Sequence, residues 1–417
     1  MSDIKKYIYS HKDEMIKLLS DLVSIPSVQD KPVLNCPFGT EPARALETML
    51  FNCKSYGFFI DNVDNYAGSA ELYDSPPALA ILTHLDVVPA GSGWNTDPFT
   101  LNQNGNKLVG RGTIDDKGPA VASVFALRAI KELGIPLKHN VRLIFGTNEE
   151  NGSADLEYYR KKRKLPSMVF TPDGEFPVIN VEKGMLRILF SADYDGISVN
   201  GGSVINAVPS VCIYGNETFS GKSAHASTPE KGENAITKFL SQNKSSHPLF
   251  SELAKLFPFG ETNGQSCGLG FSDNISGMMT CVLSILKSNE GRLNGGIDIR
   301  FPINRSKAEI SDIVCNLLLK SGFDIDSCDG VEPHCTDSNS EFVQALLRVY
   351  ERVTGNKGTC IAIGGGTYVH EIDGGVAFGA EFPGTDYNMH SPDEFIFIDD
   401  FLKLTELIVE AIIELCS

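Results

Sequence analysis

None of the ten cysteines (36, 53, 212, 267, 281, 315, 328, 335, 360 and 416) falls into a C-x-x-C pair. Their spacing suits neither a structural zinc module nor a short disulfide scaffold, so reduced thiols are the expectation. Long apolar runs are missing as well, and nothing approaches the ~20 residues that a membrane-crossing helix needs. The first residues, "MSDIKKYIYSHKDEM", hold no apolar stretch of the signal-peptide kind. A cytoplasmic protein is therefore expected. Positive charge is scarce too: 36 Lys and Arg face 53 Asp and Glu, for a net charge of −17. Such a deficit argues against nucleic acid and against an anionic membrane surface as partners, because both ask for a basic face. It suits a cation-binding site or plain solubility. The sequence shows no internal repeat and no low-complexity tract.

What is present is a chain of 417 residues, longer than one hydrophobic core usually serves, so two domains are expected. Apolar residues recur at helical spacing over residues 3–24, and "PARALETMLFNCKSYGF" reads as a second amphipathic helix. "PALAILTHLDVV", "NVRLIFGTNEE" and "SMVFTPDG" read as buried strands. They alternate with the helical stretches "GPAVASVFALRAIKELG" and "DLEYYRKKRKL". That alternation predicts an α/β fold with a mostly parallel sheet covered on both faces. After about residue 181 the strands become two-sided, as in "GMLRILFSADY" and "GMMTCVLSILKSNEGRLNGGIDIRF", which predicts an inserted α+β module. "SEFVQALLRVYERVTG", "VAFGAEFPG" and "FLKLTELIVEAIIELCS" return to the first style. The expected division is residues 1–180 with 334–417 as one domain and 181–333 as the other.

Ligands of a parallel sheet gather beyond the carboxyl ends of its strands. There the sequence delivers His84 and Asp86, then Glu149 and Glu150, then Asp173, and finally His390, while the loop "VGRGTIDDKGP" brings Asp115 and Asp116. Each is unremarkable alone, but on one rim they make a set of metal donors. A period of two puts His84 and Asp86 on the same side of an extended chain. The imidazole can then ligate a metal while the carboxylate steadies its other nitrogen or the reacting centre. Suppose Asp115, Glu150, Asp173, His84 and His390 hold two divalent cations. Three carboxylates then leave about one positive charge, which one hydroxide neutralises, the species hydrolysis wants. Glu149 is free to serve as general base.

The motifs "THLDVVPAGSGWNTDPF", "GRGTIDDKGP", "GTNEENGS", "TPDGEFP", "SGKSAHASTPEKGENAI", "IDIRFP", "IGGGTYVH" and "MHSPDEF" stand in one order from about residue 80 to the C-terminus. In that order the chain resembles the co-catalytic zinc peptidases that include aminoacylase, carnosinase and glutamate carboxypeptidase, and most of all the peptidase V-type bacterial dipeptidases. The resemblance implies a zinc-peptidase catalytic domain with an inserted lid. It implies that His84 and Asp173 complete one metal site and Glu150 and His390 the other, that Asp115 bridges them, and that Asp86 orients a ligand. It also implies a cis peptide between Asp115 and Asp116, and Glu149 as catalytic base.

From the lid, the resemblance implies that His225 stabilises the tetrahedral intermediate, an oxyanion-type contact. Arg300 would clamp the substrate carboxylate, Asn206 would touch substrate, and Gly365 and Gly366 would form a backbone loop for the carboxylate end. Arg300 could instead pair with Asp298. Trp94, the single tryptophan, is expected to pack beneath the metal loop. The family pattern carries Asp at the Asp173 position in members that act on a free amine, which points to a dipeptidase. N-acyl amino acid deacylation on the same scaffold is the alternative, and a non-catalytic peptide binder is a third reading. Mixed nitrogen and oxygen donors suit zinc best, with manganese or cobalt also compatible. The expected assembly is a monomer or a homodimer.

Overall fold

A computed structural model describes residues 2–243 and 246–417. Contacts divide the chain into two compact units. The first comprises the chain up to Asn180 together with Thr336–Ile361 and Thr367–Ser417. The second comprises Val181–Cys335 and the short segment Ala362–Gly366, which lies inside the C-terminal stretch that the sequence assigns to the other domain.

In the first unit a mixed sheet is built from β1 (Phe59–Val63), β2 (Ala67–Glu71), β3 (Pro77–His84), β4 (Asn140–Gly146), β5 (Met168–Thr171) and β6 (Val178–Glu182). Their order is β1-β2-β4-β3-β5, then the strand Val376–Ala377, then β6. The β4, β3, β5 and Val376–Ala377 strands run parallel, while β1, β2 and β6 pair antiparallel at the flanks. The uniform apolarity of β3 has a direct cause. Leu79 and Ile81 point into the larger core, with the helices Lys117–Glu132 and Ile398–Cys416. Ala80 and Leu82 point the other way, into a smaller core with Ile144, Val169 and Tyr159. Both faces are covered, so the strand stays apolar up to Thr83, whose hydroxyl donates to the Ile144 carbonyl.

The second unit has its own core, around Ile188, Phe239, Phe250, Ile297 and Val314. Here β7 (Gly184–Asp193), β8 (Val199–Gly201), β9 (Val211–Tyr214), β10 (Glu217–Ser220), β11 (Thr280–Asn289), β12 (Arg292–Phe301) and β13 (Asp324–Val331) form a seven-stranded antiparallel sheet in the order β10-β9-β8-β11-β12-β7-β13.

Two local expectations change. The N-terminal helix is two helices, Asp3–Ser10 and Lys12–Val23, meeting at His11. The His11 ring Nδ1 lies 2.8 Å from the Tyr7 carbonyl oxygen, at a position where the backbone leaves helical geometry. "VAFGAEFPG" is not a full strand. Only Val376–Ala377 pairs regularly, and contact with the neighbouring chain resumes at Glu381, opposite Glu175. All ten cysteines are free, and among the described residues no helix is long and apolar enough to cross a membrane.

Candidate metal centre

Within the first unit, β3 ends in His84, which is fully buried. Its Nε2 lies 3.0 Å from Asp115 Oδ1 and 3.6 Å from Asp173 Oδ2. The other oxygen of Asp115 faces a different imidazole, 2.6 Å from His390 Nε2, and that nitrogen is also 3.3 Å from Glu150 Oε1. One carboxylate thus stands between two donor groups. His84, Glu149 and Asp173 make one cluster of potential ligand atoms, and Asp115, Glu150 and His390 the other, each with its atoms within 4.8 Å of one another. Glu149 sits on the His84 side. The Asp115–Asp116 peptide is cis.

The supports of this cluster are equally specific. Asp86 does more than address the His84 ring. His84 Nδ1 is 3.1 Å from the Asp86 backbone oxygen and 3.5 Å from its carboxylate. That carboxylate accepts the backbone N–H groups of Glu149 and Glu150, each at 3.1 Å. Asp86 therefore holds the short 3₁₀ turn Glu149–Asn151 by its N-terminal amides, where negative charge is favoured. Asp116 accepts the N–H of His84 at 3.0 Å.

Four supports escaped the sequence reading. Glu394 accepts the N–H groups of Ile114 and Asp115 at 3.0 and 3.3 Å and takes a hydrogen bond from buried Arg111 at 2.5 Å. Lys117 Nζ donates to the carbonyls of Leu22 and Ile25. Asp155 accepts the N–H groups of Thr147 and Asn148 and the hydroxyl of Tyr368. "DE" after the His390 motif was the one readable signal, because an acid that close to a candidate metal ligand is a natural outer partner. Trp94 donates to the Ala90 carbonyl, and its ring lies 5.2 Å from the Arg111 guanidinium carbon, so it packs on a support of the Asp115 loop.

Electrostatics explain why this arrangement asks for cations. Burial raises Glu149, aided by Asp173, Glu150 and Asp115 against an opposing His84, and pushes Glu150 up to about 7 with Asp115 next in weight. Burial and then Asp115 raise Asp173. Burial also works against charge on Asp115, yet the His390 and His84 imidazoles beside it overcome that and hold this carboxyl well below the usual range. The histidines behave in the opposite sense. Burial disfavours their protonation, but Asp115, Asp173 and Asp86 lift His84 well above its ordinary value, and Asp115 and Glu150 lift His390 to about 11. The carboxylates thus draw both imidazoles toward the charged form. Buried charge needs a partner of the other sign. His84 Nε2 and Glu150 Oε1 are buried and lack a hydrogen-bond partner among the described residues, although both face ligand-type atoms. Orphaned donor atoms of mixed nitrogen and oxygen type fit a pair of divalent ions.

The remaining predicted residues lie in the second unit, where the structure gathers them. Ala207 pairs with His225 in a two-residue ladder, and the Asn206 backbone carbonyl accepts the N–H of Ala226 at 2.9 Å. His225 Nδ1 is 2.6 Å from Ser227 Oγ. Gly364 packs so closely on Ser227 that an added Cβ would stand 2.7 Å from the Ser227 Cβ, and its carbonyl accepts from Arg300 at 2.8 Å. Gly365 and Gly366 follow directly, with no atom within 4 Å of a Cβ added at Gly365. Arg300 is buried and forks onto Asp298 with bonds of 2.5 and 3.0 Å. Three of its five N–H donors are engaged in these contacts.

Volume alone would misplace the site. A cavity of about 1030 Å³ lies at the opposite ends of the strands, lined by Phe59, Tyr73, Pro77, Arg142 and Lys164, and includes none of these residues.

Comparison with known proteins agrees with the geometry. Residues 80–414 match the model of "Peptidase family M20/M25/M40". A Bacillus subtilis (strain 168) protein named "Putative dipeptidase YtjP" is 32% identical, over 97% of this chain and 98% of its own length. A Staphylococcus epidermidis relative with the same dipeptidase designation is 31% identical, over 99% of each. Human carnosine dipeptidase 1 has a similar fold, with a TM-score of 0.69 at 18% identity, covering 99% of this chain and 98% of that one.

Proposed function

This chain belongs to peptidase family M20/M25/M40, and from that premise we propose that it is a metal-dependent dipeptidase, cleaving dipeptides or short peptides with a free amino end. The observation that carries the reading is Asp115, whose two oxygens address His84 and His390 separately. His84 and Asp173 would hold one divalent cation, Glu150 and His390 a second, and Asp115 both. Zinc suits the donors best. When bound, such ions polarise a carbonyl and lower the pKa of a water toward about 7.

The chain's own residues supply the rest. Glu149 takes a proton from the attacking water and delivers it to the leaving amine, a task suited to a carboxyl that burial has made more basic. Asp86 keeps Glu149 in register with Glu150 by holding both amides. His225 would donate to the developing oxyanion. Arg300 would bind the substrate carboxylate through N–H groups not used on Asp298 and Gly364, beside the glycines 365 and 366, and Asn206 would position the substrate. We place the protein in the cytoplasm.

A panel of dipeptides set beside N-acetyl and N-succinyl amino acids, with metal analysis of the purified protein, tests this reading. Turnover of the free dipeptides with about two metals per chain is expected. Turnover confined to the acylated compounds would favour the deacylase. Glu149→Gln should keep the metal and lower kcat by ~10²–10⁴-fold. Unchanged kcat would remove Glu149 from the role of base.

A further inference from the structure

Glu381 is a carboxylate that neither the metal clusters nor their supports use. Its backbone is fixed beside the loop that follows β5. Glu381 N–H donates to the Gly174 carbonyl, and Phe176 N–H donates to the Glu381 carbonyl, both at 2.8 Å. It is therefore pinned opposite the residues that directly follow Asp173. The side chain is largely withdrawn from solvent, yet among the described residues its carboxylate has no hydrogen bond and no ion pair. The charged groups that weigh most on it are all acids: Asp173, Glu175, Asp115 and Asp386. Burial and these neighbours push it up to about 7.

A carboxylate half-hidden among carboxylates is costly unless something positive comes to it. The five metal donors belong to Asp115, Glu150, Asp173, His84 and His390, so the cations of the proposed reaction are spoken for. The one positive group that a dipeptide brings is its terminal ammonium. It lies next to the scissile carbonyl, and Asp173 is the metal-site residue from which Glu381 is a short step away. We propose that Glu381 recognises the substrate's free α-ammonium group and so determines that this site takes unblocked peptides rather than N-acyl amino acids. An N-acyl substrate would leave the Glu381 carboxylate without a counter-charge and place a neutral amide against it. Sites built around a polar partner reject the analogue lacking it far more strongly than an apolar pocket rejects a size change. This inference rests on the dipeptidase reading and narrows its substrate class.

The test uses the full-length, metal-loaded protein. KM and kcat are measured for L-Ala-L-Ala, and the inhibition constant for N-acetyl-L-Ala-L-Ala, in wild type, Glu381→Gln and Glu381→Asp. Metal content and thermal unfolding are read for each. In Glu381→Gln the KM for the free dipeptide should rise roughly ten- to hundredfold, the scale of a hydrogen bond to a charged group. Metal content should hold at the wild-type level, and binding of the acetylated compound should stay level or tighten. Glu381→Asp, which keeps the charge on a shorter arm, should recover part of the loss. An unchanged KM, an equal loss for both compounds, or a loss of metal in Glu381→Gln would overturn the assignment. If the wild type cleaves no dipeptide at all, the parent reading fails first. If it cleaves them and the variant discriminates as the wild type does, only the role of Glu381 fails.

Discussion

A single carboxylate shows how far burial can shift a residue's chemistry in this protein. Asp155 is fully buried and accepts three backbone amides and the Tyr368 hydroxyl, yet burial and then the charge of Asp86 raise its pKa to about 6. The folded state therefore keeps a proton that the unfolded chain has released, in the window between about 4 and about 6. Stability from this group is present below that window and is lost as pH rises through it, by ~3 kcal/mol in all. Asp155→Asn does not titrate. Its stability deficit relative to wild type, measured by urea unfolding, should shrink by about that amount between pH 4 and pH 7. A deficit independent of pH would mean that Asp155 is ionised throughout. Space around this residue is tight, because a Cβ on Gly146 would stand 1.9 Å from the Tyr368 hydroxyl and 2.4 Å from the Asp155 carboxylate. Glycine at the end of β4 is what lets the support reach the turn that carries Glu149.

The loop that carries Asp115 behaves as an element with one buried brace. Arg111 and Glu394 pair in the interior, and the same Glu394 holds the amides that precede and carry Asp115. Removing one member strands a buried charge, which typically costs 3–5 kcal/mol, on the order of a third of a domain's stability. Arg111→Met should destabilise the protein on that scale and weaken metal binding at the same time, seen as lower midpoint temperature and faster loss of metal to a chelator. Normal metal retention would show that the brace serves folding alone. Sequence reading reached the ends of the strands well, because an apolar run that stops at His84 or at Glu149 and Glu150 declares itself. It did not reach the brace. Arg111 and Glu394 are 283 positions apart, and nothing in local pattern or period links them. The same limit applies to half of what Asp86 does: its spacing suggested a partner for the His84 ring, which lies 3.5 Å away, but not that the carboxylate also anchors a turn from another strand. "VAFGAEFPG" misled for a related reason: an apolar run signals burial, and burial here comes with only two residues of regular pairing.

For the whole molecule, charge is the governing quantity. A net charge of −17 spread over the chain includes a knot of acids drawn into the interior, which favours protons on His84 and His390. Replacing those protons with divalent ions should stabilise the fold by mass action, gaining ~3 kcal/mol at a hundredfold excess over Kd. Adding Zn²⁺ or Mn²⁺ to chelator-treated protein should raise Tm in a concentration-dependent way and release protons, measurable by calorimetry in buffers of different ionisation enthalpy. A Tm indifferent to metal would deny the centre a structural share. Organisation into two units was visible from the change in strand style near residue 181, whereas the allegiance of Ala362–Gly366 to the second unit was not, since five residues carry no periodicity. That allegiance makes the polypeptide cross from one unit to the other four times, not twice. A gene fragment spanning only Val181–Cys335 would leave Arg300 without the Gly364 oxygen it donates to, so the second unit is stitched into the chain rather than spliced onto it, and no single cut-out carries it whole.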